Sequence, residues 1–226
     1  MMSRRIGRTL LIGTSIAIGA FFAGQLFAAN TINGRVLGAG APIANSTVTL
    51  WQASADAPKQ LAQTKSDSGG RFAIDSTGAP DSSVYLVATG GISAANQAAG
   101  NNPAIGLIAV LGSNPPTSVT INEFTTIASV VTHAQFIDNT TIKGSPLQLK
   151  IAAGNVPNFV DLETGSWGPT ILDALNSAQT PTMANFGTLA DVMAGCIAQV
   201  KPDACSQFFA ATTPPGGGWR GGAAAA

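Results

Sequence analysis

At Asn122 the chain changes the period of its hydrophobic residues. From Thr31 to Val119 apolar residues come in short, mostly alternating runs broken by Gly, Pro and Asp, the pattern of strands and tight turns. Beyond Asn122 they recur at three- and four-residue spacing, as on the buried stripe of a helix. Strands first and helices afterwards predict an α+β chain rather than an alternating α/β one.

Strands are expected at Ile32 to Leu37, Ser46 to Ala53, Gln60 to Ser66, Gly70 to Asp75, Val84 to Thr89, Ile105 to Gly112 and Val119 to Asn122. Gly38 to Pro42, Asp67 to Gly70 and Gly78 to Ser82 supply the turns. Such short strands predict an antiparallel β-sandwich. Trp51 falls on the strand face opposite Val48, and Tyr85 on the face opposite Val84 and Leu86. The two aromatics serve either as domain-interface core or as a platform for a ligand such as a carbohydrate. Ile105 to Leu111 is apolar on both faces, which predicts that the helical half covers the second face of the sheet.

In the second half, Asn122 is an expected N-cap, followed by a stripe of Phe124, Ile127, Ala128, Val131, Ala134 and Gln135. His133 falls off that stripe and is expected at the wet surface. Ser145-Pro146 opens a second helix, which Phe159 to Asp161 resume after an interruption. Thr180-Pro181 opens a long one through Met183, Phe186, Leu189, Ala190, Met193, Cys196, Ile197 and Val200. On that stripe Met183 and Met193 read as packing rather than as cofactor contacts. Asp161, Glu163, Asp173 and Asp191 follow no calcium-loop spacing and read as caps and solvated faces. No nucleophile elbow, phosphate loop or dinucleotide fingerprint is present, so no catalytic residue, cofactor or metal is expected.

The N-terminus reads as an export signal: Arg4, Arg5 and Arg8, then an apolar run, then Leu26-Phe27-Ala28 before Ala29. Residues 1–28 are either a cleaved signal or, at about 20 apolar residues, an uncleaved anchor and the one membrane contact. Removal of the signal leaves eight Lys and Arg against 11 Asp and Glu, with no basic cluster, which excludes a nucleic-acid role. In an oxidising compartment Cys196 and Cys205, the only two cysteines, are expected to form a disulfide, with two buried thiols as the alternative.

Ile32 to Val36, Ala41 to Leu50 and Ser66 to Phe72 resemble the carboxypeptidase regulatory-like module. That resemblance implies a transthyretin-like (prealbumin-like) sandwich of noncatalytic, accessory character. Ile121 to Val130, Ala153 to Asn158 and Asn185 to Cys196 resemble the helical N-terminal region of bacterial exported proteins that continue into NHL-type β-propellers. The expected organisation is a signal at 1–28, a β-sandwich at 29–122, a disulfide-linked helical module at 123–212 and a low-complexity tail at 213–226. Where a propeller is expected, the chain has Pro, Gly and Ala, implying either a natural short form or a cut reading frame. The expected function is a periplasmic, surface or secreted binding or scaffold module. Its expected partners are a carbohydrate or a cell-envelope protein, with an extracellular hydrolase built around His133 as the alternative.

Overall fold

The computed structural model describes residues 30–76 and 82–213. The export signal, the cleavage site and nearly all of the expected tail lie outside those residues.

The first half contains β1 (Asn30–Gly38), β2 (Ala41–Ala44), β3 (Thr47–Gln52), β4 (Lys59–Lys65), β5 (Arg71–Ser76), β6 (Val84–Thr89), β7 (Ile92–Ser93), β8 (Gly106–Gly112) and β9 (Ser118–Ile121). A four-stranded sheet runs β4-β3-β6-β8, antiparallel throughout. A five-stranded sheet runs β5-β1-β2-β7, with β9 added alongside β1. The β1–β9 pairing is parallel, which departs from the expected antiparallel arrangement. β9 reaches β1 from the far end of the chain's first half rather than through a hairpin.

Alternation decides which side chains are buried. Ile32, Val36, Phe72, Ile74, Val119 and Ile121 of the five-stranded sheet share one buried cluster with Val48, Leu50, Leu86, Leu107, Ala109 and Leu111 of the four-stranded sheet. The turn before β5 forms as its sequence dictates. Asp67 Oδ1 accepts from the amides of Gly69 and Arg71, each at 2.8 Å, and Gly70 takes a φ of 71°.

The second half contains α1 (Glu123–Thr132), β10 (Ile137–Asp138), β11 (Thr141–Ile142), α2 (Pro146–Gly154), β12 (Val160–Asp161), β13 (Ser166–Trp167), α3 (Pro169–Leu172), α4 (Ala174–Gln179), α5 (Thr182–Ile197) and α6 (Ala204–Thr212). It packs on the other face of the four-stranded sheet, as the two-faced apolar run predicts. Tyr85, Val87, Ile108 and Val110 form a second buried cluster with Ile127, Ala128, Leu149, Val156, Phe186 and Ala190.

Three expectations need correction here. Phe159 to Asp161 do not resume a helix: Pro157 sits in a 3-10 turn, and Val160 pairs with Trp167 in a two-stranded ribbon. Asp161 Oδ1 accepts from the Glu163 and Thr164 amides, 2.9 Å each, and so closes that ribbon's turn. Thr180 does not cap α5; it ends α4, its hydroxyl donating to Asn176 O at 2.8 Å, and Pro181 takes the N-cap position. Ser145 precedes Pro146 as expected, but its hydroxyl donates to Gln148 Oε1 at 2.7 Å instead of capping the backbone.

Candidate functional site: a sealed sheet face and an open groove

The residues singled out in the sequence gather at the contact between the two halves. Trp51 and Tyr85 are direct cross-strand partners on β3 and β6, on the face that the helical half covers. Tyr85 is only 1% exposed, and its hydroxyl accepts from the Ile142 amide at 3.3 Å. Burial raises its pKa, and the Ile142 hydrogen bond offsets part of that. The ring is therefore interface core, closed to any ligand. Trp51 is half-buried at the rim of the same cluster.

α1 is held by polar rather than apolar contacts on one side. Asn122 forms the expected N-cap: its Oδ1 accepts from the Thr125 amide at 3.0 Å, and Thr125 Oγ1 accepts from the Asn122 amide at 2.9 Å. β8 is the last strand of its sheet, so half of its backbone groups lack a strand partner. α1 supplies them. The Ile108 amide donates to Thr126 Oγ1 and the Val110 amide to Ser129 Oγ, both at 3.0 Å. Each hydroxyl in turn donates to a carbonyl one turn back, Asn122 O at 2.6 Å and Thr125 O at 2.7 Å. One hydroxyl thus satisfies a helix acceptor and a strand donor together.

This polar packing corrects the expected stripe. Ile127 and Ala128 are buried, but Val131 is 50% exposed and Ala134 and Gln135 lie in solvent. His133, expected at the surface, is 0% exposed. It follows Thr132 at the helix end, on the same side as Ser129 and Thr126, and so turns inward with them. Its Nδ1 lies 2.9 Å from Thr132 Oγ1 and 3.2 Å from Ser129 O. Nε2 is buried without a hydrogen-bond partner. Burial lowers the His133 pKa, with the Ser129 carbonyl acting the other way.

Cys196 and Cys205 form the expected disulfide between α5 and α6. The preceding C-terminus of α5 is anchored by two asparagines from the first half. Asn102 Nδ2 donates to Cys196 O at 3.0 Å and Ile197 O at 3.3 Å. Asn96 Nδ2 donates to Ala198 O at 3.0 Å and Gln199 O at 3.2 Å. These carbonyls end a helix, where the regular helical amide partners run out; of the four, Cys196 O also accepts from the Gln199 amide at 3.1 Å. Ile197 then enters the cluster between the two sheets, where a Cβ on Gly38 would stand 2.4 Å from its Cγ2. Met183 and Met193 pack against the buried clusters, in line with their helical spacing.

The carboxylates take the roles of caps and exposed faces. Asp173 Oδ1 accepts from the Leu175 amide at 3.0 Å, and Asp161 holds its turn, whose amides, Thr164 foremost, lower its pKa. Among the described residues no cluster of three or more His, Cys, Asp or Glu could hold a metal ion. Among them too, no helix is long and apolar enough to cross a membrane.

An accessible groove lies elsewhere, lined by β1, β5 and β9 of the five-stranded sheet and by the end of β4 of the four-stranded one. Its volume is about 730 Å³, and its lining includes Asn33, Arg35, Thr64, Lys65, Arg71 and Ser118. Asp67 also borders it, as does Glu163, from the turn between β12 and β13. Sequence reasoning passed these residues over. Arg35 and Arg71 lie 36 positions apart, each after a glycine, and only the β1–β5 register sets them opposite one another.

No family model matches the chain, and no curated protein matches it. Among solved structures, a 9R-lipoxygenase from Cyanothece aligns over 41% of this chain and 15% of that one, at 17% identity and a TM-score of 0.25. A likeness that loose and that partial carries no argument about either fold or activity.

Proposed function

We propose that this chain is an exported, noncatalytic binding module of the cell envelope, with the groove on the five-stranded sheet as its ligand surface. In this reading residues 29–122 are a transthyretin-like sandwich of the carboxypeptidase regulatory-like kind, residues 123–212 are the helical module that backs it, and residues 1–28 direct export. The groove carries the binding role: it is open, polar side chains from several strands and turns line it, and its volume is in the range that small ligands use. The cluster shared by the two sheets supports the sandwich. The disulfide supports an oxidising compartment.

Glycan-array binding by the purified chain tests the assignment. Ser118→Trp, which fills the groove, is expected to abolish binding, and Trp51→Ala at the half-buried rim is expected to leave it intact. Loss with Trp51→Ala and retention with Ser118→Trp would move the ligand surface to the module rim. Export is checked by the N-terminus of the mature protein, expected at or near Ala29.

A further inference from the structure

β1 and β5 place Arg35 and Arg71 directly opposite one another, in antiparallel register. Both are exposed on the outward face of the sheet, because Gly34, Val36 and Phe72 take the inward positions. Opposed side chains in such a pair lie about 5 Å apart, and like charges there are destabilising. A sheet that keeps two guanidinium groups in register gains nothing from them unless an anion joins them. None of the protein's own groups does so. Among the described residues, neither the Arg35 nor the Arg71 side chain forms a hydrogen bond or an ion pair, and nor does Lys65 across the groove. Of the two carboxylates at the rim, Asp67 is held by the amides of its own turn. The lining therefore carries three cations against two anions, in a chain whose formal net charge is zero.

The neutral part of the lining narrows the ligand further. Asn33 and Ser118 are register partners on β1 and β9, and Thr64, near the end of β4 in the other sheet, also lines the groove. Cations thus share one row across β1 and β5, and amide and hydroxyl groups share the next row across β1 and β9. That pattern suits a molecule in which hydroxyls alternate with carboxylates. Resting on the groove as the ligand surface, the structure assigns it to an acidic saccharide. The Arg35 and Arg71 guanidinium groups hold a carboxylate between them, Lys65 holds the next, and Asn33, Thr64 and Ser118 serve ring hydroxyls.

The test is calorimetric titration of the purified full chain with an oligogalacturonate, its methyl ester of the same length, and inorganic phosphate. The acid is expected to bind at least ten times more tightly than the ester. Its binding should weaken as salt is raised from 0.02 to 0.15 M. Arg35→Gln and Arg71→Gln are each expected to weaken it about tenfold, with thermal midpoints not lowered, because both side chains are exposed and each substitution removes one of two opposed like charges. Equal binding of ester and acid, insensitive to both substitutions but lost in Ser118→Trp, would overturn the acidic assignment and keep the groove. Phosphate binding as tightly as the oligomer would overturn the saccharide and leave a simple anion site. Binding of none of the three probes would overturn the acidic-saccharide assignment, and a glycan-array signal surviving Ser118→Trp would overturn the groove itself.

Discussion

A few polar side chains decide how α1 meets the sheet. Removing the hydroxyl of Thr126 or Ser129 strands the buried strand amide that donates to it, at a cost of about 1–3 kcal/mol for an unsatisfied buried group. Thr126→Val and Ser129→Ala are each expected to lower unfolding free energy by that much in urea titrations; losses under about 0.5 kcal/mol would mean that the hydroxyls are dispensable. His133 sets the acid limb of stability. Its folded pKa lies below the unfolded value, so below about pH 6.5 the unfolded chain takes up a proton that the native chain refuses. Stability therefore falls as pH drops from there, and His133→Gln is expected to flatten the loss between pH 7 and pH 5. Parallel profiles for the two proteins would contradict this. Glu123 acts with the opposite sign. Burial raises its pKa, with the Ala39 amide offsetting part, so its contribution is full below about pH 4.5 and is lost as pH rises through the folded value. Glu123→Gln is expected to remove that decline.

At the scale of elements, the end of α5 is the joint between the halves. Asn102, 2% exposed, and the disulfide hold that end from two directions. In the loop-entropy account, closing so short a loop stabilises by about 2–3 kcal/mol. Asn102→Ala is expected to cost about 1–3 kcal/mol, since it leaves the Ile197 carbonyl without a partner and takes one of two donors from Cys196 O, which keeps the Gln199 amide. The two effects act on one helix end and should not add. In a cycle of Asn102→Ala with Cys196→Ser/Cys205→Ser, a coupling of at least about 0.5 kcal/mol is expected from chemical denaturation, and strict additivity would show that the two anchors act separately. The disulfide was legible because two cysteines leave one pairing. The asparagine anchors were not, because Asn96 and Asn102 in a loop read as turn residues until the helix end they cap is in place. The strands were largely legible from alternation, while β2 and β7 were not expected: at four and two residues they are too short to show a period. The inward turn of His133 was hidden too, since a polar stripe on a helix signals water unless a strand edge with free amides is known to lie against it.

Across the whole molecule, the four-stranded sheet is sealed on both faces, and the greasy run from Ile105 to Leu111 announced that arrangement before any contact was known. Val87, Ile108 and Val110 together bury enough to contribute about 5–9 kcal/mol, comparable to the full stability of a domain. The strand half is thus not expected to survive without its cover. The groove was invisible to periodicity because it depends on register between strands distant in sequence. The most direct test uses one tryptophan in each half: Trp51 on β3 and Trp167 on β13, each left as the only tryptophan by Phe substitution of the other and of Trp219. Fluorescence-monitored guanidinium unfolding of the two variants is expected to give coincident transitions, with equal slopes and midpoints that agree after correction for each variant's own stability. A Trp167 transition that is complete while the Trp51 signal is still native would contradict a single fold built across the shared sheet.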